Sequence, residues 1–478
     1  MADEKAGWPE LFSGGNGLRI AVLVSGVGLH AINVFISGTL MPSVVGDIGG
    51  IELFAWSTTL FIVASIVASI FAAIRPLGIG PRTNYIIAAL TFGAGSLICG
   101  LAPEMWVLLL GRTVQGFGAG LLGALTYAMV RIIFPERLWA RGMGLLSGVW
   151  GISTLVGPAI GGVFAEFGIW RWAFFLLVPF AILLAVLALR VIPRKSDEAG
   201  VKNLPALQIL LLIGAVMAIS VASVTTGNLA LAAALTAAAV LGIVWMGRLE
   251  RRGPHRLLPT GSFSFGSILA PLLLMMLIMQ LAITSDVFVP LFLQMLHGQQ
   301  PLIAGYLVAL MAVGWSTGSV VCSGWTGARA RTLLVAGPTL LSLGAIGLAL
   351  TIGHLNVQGD MLLLLVPVGL SLLAMGLGIG STWPHLLTRL FQAAPEGEKD
   401  LTSAAITMVQ LFASGLGAAV GGVIVNLAGL SAAGEAGDAL APAWWLYGLF
   451  ALVPLLAIPL GLSIARGETA RGQAQAAE

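Results

Sequence analysis

Charge is scarce in this chain. Lys and Arg number 23 and Asp and Glu 20 among 478 residues, so charged side chains make up 9% of it against 58% hydrophobic. A soluble protein of this size could not hide so much apolar surface, because its exterior needs polar and charged groups. Cysteine is nearly absent. Cys99 and Cys322 both fall in apolar stretches and read as packed free thiols, which excludes a disulfide framework or a cysteine metal site. The net charge is only +3 despite a pI near 9.1, and the cations sit in short loops, so the basic balance does not point to nucleic acid. No phosphate-binding P-loop occurs, which disfavours ATP-driven work. Nor does any nucleophile motif or cluster of metal ligands speak for an enzyme, a cofactor or a metal. A cleavable signal peptide is also missing: residues 1–18 are a short polar lead followed at once by a full-length apolar run.

Long apolar runs are what the chain has in abundance. Fourteen are long enough to cross a bilayer as helices, at about 19–41, 53–74, 83–102, 105–131, 140–166, 172–192, 205–224, 229–247, 264–296, 301–323, 332–352, 361–388, 402–429 and 443–465. The fold class is therefore an all-α integral membrane protein whose solvent is largely lipid. Arg and Lys gather in alternate loops: Arg75 and Arg82; Arg131, Arg137 and Arg141; Arg190, Arg194, Lys195 and Lys202; Arg248, Arg251, Arg252 and Arg256; Arg329 and Arg331; Arg389 and Lys399. The positive-inside rule makes that side cytoplasmic, with both termini on it, as expected of a cell (inner) membrane protein. The opposite loops hold Asp47, Glu52, Glu104, Asp360, Glu435 and Asp438, with Arg171 the one clear cation.

Two longer polar interruptions, 193–203 and 248–262, bracket the seventh and eighth runs. The expected organisation is a cytoplasmic lead (1–18), a six-helix bundle (19–193), a linker carrying two extra transmembrane helices (194–262), a second six-helix bundle (263–466) and a cytoplasmic tail (467–478) that reads as flexible. Trp8, Trp139, Trp170, Trp172, Trp444 and Trp445 suit the membrane–water interface.

Against this apolar background the polar residues stand out. Arg112 and Gln115 lie three apart in the fourth run and share one helix face. A cation at that depth faces a bundle interior or a water-filled cavity, so Arg112 is either a functional residue or a structural arginine bonded to backbone. Gly116 and Gly120 provide a small-xxx-small spacing for a close helix neighbour. In the fifth run Gly144, Gly148 and Gly151 form one small-residue face, and Gly157, Gly161 and Gly162 surround Pro158, which removes a backbone donor and invites a bend. Asp286 is the carboxylate deepest in an apolar run; it can bind a proton or a cationic substrate, or cap a break ahead of Pro290. Glu166 sits near an outer end and reads as interfacial. Trp150, Trp315 and Trp383, with His385 beside the last, are mid-span and fit either packing or ligand contact, as do Gln280, His30 and Asn33. Counted at 1.5 Å per residue, Arg112 and Asn33 lie about 12 Å and Asp286 about 15 Å from their outer ends, near the midplane of a core about 30 Å thick.

Four stretches together resemble the major facilitator superfamily, in its fourteen-span drug:proton antiporter type. Arg112-Thr113-Val114-Gln115-Gly116-Phe117-Gly118 is similar to its fourth-span R-x-x-Q-G-x-G motif, and Gly148 through Gly162 to its fifth-span antiporter motif ending G-P-x-x-G-G. Trp170-Arg171-Trp172-Ala173-Phe174-Phe175 with Pro179 is similar to its W-R-W-x-F-F signature. Val289-Pro290-Leu291-Phe292-Leu293-Gln294, followed by Gly298, Pro301 and Ala304-Gly305, is similar to its P-L-Y-L-Q…G…P…A-G run. Two departures matter. The stretch Ala72 to Arg82 has no acid where the family carries G-x-x-x-D-R-x-G-R-R. In the first span Asn33 stands nine residues before Pro42, where many drug antiporters have an aspartate.

The resemblance implies a secondary transporter with two six-helix bundles plus two inserted helices, working by alternating access on a small organic substrate, with protons and the lipid bilayer as partners and as a monomer. On that reading Asp286 and Arg112 carry proton coupling. His30, Asn33, Gln115, Trp150, Gln280, Trp315 and Trp383 line the substrate path. Gly148, Gly151, Gly157, Pro158, Gly161 and Gly162 act as a conformational hinge. The expected activity is proton-coupled efflux of amphipathic organic compounds, as in multidrug resistance. The alternatives are a dedicated exporter of one metabolite, anionic and held by Arg112, and a non-transporting membrane receptor or scaffold.

Overall fold

A run of apolar residues can satisfy its backbone in lipid only by coiling into helix. The computed structural model, which describes residues 8–74, 80–194, 205–253, 256–264, 266–353, 361–430 and 439–477, is helical throughout, with no strand among those residues. It contains fourteen spans long and apolar enough to cross a membrane. After a short α1 (Trp8–Phe12) come α2 (Asn16–Ile48), α3 (Phe54–Ile74), α4 (Pro81–Leu101), α5 (Met105–Ile133), α6 (Glu136–Glu166) and α7 (Arg171–Val191). The inserted pair is α8 (Ala206–Val224) and α9 (Leu229–Arg252). Then follow α10 (Leu269–Ile283), α11 (Val289–His297), α12 (Pro301–Cys322), α13 (Gly327–Ile352), α14 (Met361–Ala393), α15 (Lys399–Leu427), α16 (Leu440–Leu452) and α17 (Ala457–Ala477).

Two spans are interrupted, the ninth at the place where a break ahead of Pro290 is one of the expectations. The ninth is split into α10 and α11 by a 3-10 turn, Thr284–Phe288. Pro290 explains the break: it has no N–H to give the carbonyl four residues back, and its ring crowds that carbonyl, which belongs to Asp286. The Asp286 carbonyl instead accepts from the Val289 N–H. The last span breaks at Pro454 in the same way, with a 3-10 turn Pro454–Leu456 between α16 and α17. The tail after Arg466, expected to be flexible, continues as helix to Ala477; its Ala, Gln, Glu and Arg content favours that. Of the acid-free stretch 72–82, residues 75–79 lie outside the described residues, as do 195–203 of the first polar interruption.

By contacts the chain forms two compact units. Unit 1 is Met1–Gly50, Leu60–Asn203 and Gln300–Gly305; unit 2 is Ile51–Thr59, Leu204–Gln299 and Tyr306–Glu478. In unit 1, α5 is clasped on two sides. Gly116 and Gly120 lie against the backbone of Phe61 and Ser65 on α3, while Gly111 and Gly118 lie against Cys99 and Phe92 on α4. Approach this close lets Ser65 Oγ donate to the Gly116 carbonyl at 2.9 Å. At one end, Asp47 closing α2 is bonded by Arg171 Nη1 at 2.6 Å and Trp170 Nε1 at 3.1 Å, with the guanidinium 4.3 Å from the Trp170 ring centroid.

The inserted pair belongs to unit 2. Asn426 on α15 donates through Nδ2 to the carbonyls of Glu52 and Ser223, both at 2.9 Å, and Trp56 Nε1 donates to Ser223 Oγ at 3.3 Å. Beyond α9, Glu250 accepts from the Leu257 and Leu258 N–H groups. Glu398 accepts from Thr260 N at 2.7 Å and Thr260 Oγ1 at 2.6 Å, which straps down the loop before α10. The outward flank of α9 (Leu229, Leu241, Trp245) is exposed, as a lipid-facing helix requires.

Candidate functional site

The three-residue spacing of Arg112 and Gln115 does what helix geometry dictates. Arg112 is 2% exposed, and its Nη1 donates to Gln115 Oε1 at 2.6 Å. The same nitrogen meets Asn33 Oδ1 of α2 at 3.5 Å, and Asn33 also accepts from Ser37 Oγ at 3.5 Å. Gln115 passes the network on, its Nε2 donating to Ser96 Oγ of α4 at 2.8 Å. The guanidinium carbon lies 4.3 Å from the centroid of the Phe61 ring on α3, within cation–π range. Amide oxygens and an aromatic face solvate a cation without carrying a counter-charge, so these groups leave the charge of Arg112 in place.

His30 stands one turn before Asn33. Its ring is 5.5 Å from Phe61 and 5.7 Å from Trp150, edge-on to the latter. Two buried atoms in this cluster, His30 Nδ1 and Asn33 Nδ2, have no hydrogen-bond partner. Five of the residues singled out in the sequence (His30, Asn33, Arg112, Gln115 and Trp150) thus come together in unit 1. Phe61, Ser96 and Ser37 complete the cluster. They carry no signal of their own in the sequence, since an aromatic or a serine in an apolar helix is ordinary.

The glycines of α6 divide. Gly157 lies against Phe35 and Ile32, Gly161 against Ile36 and Thr39, and Gly162 against Leu302 at the start of α12. A side chain at Gly148 or Gly151 would meet nothing. From Gly151 to Gly157 is six residues, which at 100° each turns the face by about 120°, so one glycine face cannot run through both halves. Pro158 sits inside an unbroken helix, Glu136–Glu166.

Unit 2 holds the other singled-out residues. Asp286 is half-buried on the 3-10 turn. Gln280 Nε2 donates to Ser414 Oγ at 3.0 Å, while its buried Oε1 has no partner. Gly417 and Gly421 bring α15 against Thr284 and Phe288 of the turn. Trp315 and Trp383 form a pair with ring centroids 5.5 Å apart. His385 is spoken for: its Nε2 is 2.9 Å from the Cys322 carbonyl. No group of three or more His, Cys, Asp or Glu able to hold a metal occurs among the described residues.

Fourteen apolar spans with buried polar groups held between helices define a multi-pass membrane protein. The chain belongs to the Major Facilitator Superfamily, which it matches over residues 23–422. It is 39% identical over 445 residues to a "probable multidrug-efflux transporter" of Mycobacterium tuberculosis, spanning 89% of this chain and 91% of that one. It is 25% identical over 303 residues to a "multidrug efflux pump" of Staphylococcus aureus, spanning 63% and 67%. Among solved structures, a peptide transporter in complex with sulfate superposes with a TM-score of 0.69, covering 97% of both chains at 13% identity, a likeness of fold alone.

Proposed function

We propose that the protein is a secondary active exporter of amphipathic organic compounds, driven by protons and working by alternating access as a monomer in the cell (inner) membrane. Both termini lie on the cytoplasmic side. The observation that carries this reading is the buried, amide-framed cluster of unit 1. There an arginine, two orphaned polar atoms (His30 Nδ1 and Asn33 Nδ2) and the rings of Phe61 and Trp150 offer an amphipathic molecule both polar and aromatic contacts. The efflux names of relatives up to 39% identical support the substrate class. Asp286 is the carboxyl assigned to the proton, and Trp315, Trp383 and Gln280 are assigned to the substrate path. Residues 19–193 and 263–466 are the two moving bundles, with 194–262 as the insert. Gly157, Pro158, Gly161 and Gly162 are the working part of the hinge. Expression in an efflux-deficient host tests the reading: tolerance to a panel of amphipathic dyes and antibiotics should rise several-fold and collapse when the proton gradient is dissipated.

A second reading, export of one anionic metabolite, draws on the buried guanidinium of Arg112 beside the neutral oxygens of Asn33 and Gln115. It predicts no change in dye tolerance and a single organic acid retained in cells of a deletion strain.

A further inference from the structure

The turn that breaks the ninth span has an unused neighbour. Tyr447 on α16 is 0% exposed, and its hydroxyl has no hydrogen-bond partner. A buried hydroxyl left unsatisfied costs about 1–3 kcal/mol, so one held in a fixed place calls for a partner in another state of the protein. Its place is fixed by rings. Tyr447 packs edge-on against Phe292 at 6.0 Å, and Phe292 stacks at 6.4 Å on Phe288, the last residue of the 3-10 turn. Helix α16 touches that turn directly. The Asp286 carboxyl is carried on that turn, half-buried.

Other polar groups lie on the elements packed against the turn. On α10, Gln280 Nε2 is bonded to Ser414, while its buried Oε1 has no partner. On α11, His297 is bonded to the Ile352 carbonyl and Gln294 Nε2 is buried without a partner; on α15, Asn426 Nδ2 is bonded to Glu52 and Ser223. Lys399 and Asp400 begin α15, between four and five turns from Gly417, where that helix meets the turn.

We propose that Tyr447 is a positioning residue for Asp286, its hydroxyl becoming the hydrogen-bond partner of the carboxyl when the 3-10 turn rewinds. This rests on the reading of Asp286 as the proton carrier. While Asp286 is ionised, the Tyr447 O–H donates to the carboxylate and keeps its own proton. When the carboxylate takes a proton from water in the open pathway, its new O–H donates to the phenol oxygen. One proton is bound and one later released at Asp286, and the phenol lies outside the proton's path. The hydroxyl thereby links protonation to the conformation of the turn, and through Phe288 and Phe292 to the packing of α11 and α16.

The test uses the full chain in proteoliposomes with an inside-acid pH gradient and ethidium as the probe, together with infrared difference spectra of the protonated carboxyl recorded without ethidium. The variants are Asp286→Asn, which identifies the Asp286 band by its loss, and Tyr447→Phe, which keeps the ring contact with Phe292. Elution of both as the wild type excludes misfolding. Tyr447→Phe should lower gradient-driven ethidium uptake about tenfold, the size of one charge-assisted hydrogen bond, and move the Asp286 carbonyl band to higher frequency. An unmoved band, with Asp286→Asn inactive, overturns the tyrosine proposal alone. An Asp286→Asn variant that still drives ethidium uphill overturns the underlying reading of Asp286, whatever Tyr447→Phe does.

Discussion

Arg112 meets Asn33 Oδ1 at 3.5 Å, an amide nine residues before Pro42. A neutral amide orients the guanidinium without cancelling it, whereas a carboxylate at the same place would form a buried ion pair. Asn33→Asp should therefore shift specificity toward lipophilic cations. The inhibitory concentration of ethidium for the expressing strain is expected to rise several-fold, and export of anionic dyes to fall. Asn33→Leu, which strips the oxygen from a buried cation, should instead lower stability by about 1–3 kcal/mol, read as a lower Tm in detergent.

The glycines of α6 should separate by their neighbours. Gly161→Leu would drive a side chain into the Ile36 backbone and Thr39 of α2, and is expected to stop transport in everted vesicles while much substrate binding survives. Gly148→Ala enters open space and should transport at the wild-type rate. Equal loss from both would show that flexibility, not close approach, is what α6 needs from glycine.

This division marks how far the sequence could be read. Arg112, Gln115 and Asn33 were legible because helix periodicity and the offset from Pro42 are local rules. The contact of Trp315 with Trp383 was not, since it depends on how α12 and α14 pack through Gly376 and Gly380. The seven-residue pattern of Gly144, Gly148 and Gly151 predicted a packed face. Yet periodicity reports only that residues share a face, not that anything lies opposite. Tyr447 went unnoticed for the converse reason: a tyrosine in an apolar span is unremarkable until its hydroxyl is found without a partner. The break at Asp286 was half legible, through Pro290 four residues on.

Asp286→Asn should abolish accumulation of substrate against its gradient while exchange down a gradient persists. Uphill efflux with an unchanged pH profile would remove Asp286 from coupling.

The loop before α10 gives a topological and a pH-dependent expectation. With Cys99 and Cys322 replaced, a single cysteine at Ser264 should resist a membrane-impermeant maleimide in intact cells and react after lysis; labelling from outside would overturn the assigned orientation. Glu398 in the same strap is held below the usual carboxylate range, first by the Thr260 hydroxyl and then by the Thr260 N–H and the charge of Arg256, with slight burial opposing them. A carboxyl whose pKa is lowered by folding adds stability above its unfolded pKa and loses it as pH falls through the folded value. Protection of the Thr260 amide from hydrogen exchange should thus hold from neutral pH down past the ordinary carboxylate range and then fail. In Glu398→Gln it should be weak throughout.

The fastening of α8 to α15 through Ser223 and Asn426 makes the inserted pair a fixed part of unit 2, with the bare flank of α9 as its rim. Any displacement of that unit must drag the rim through the acyl chains and rebuild the lipid shell around it. Bilayer thickness and stiffness then enter the turnover rate as mechanical load on that helix.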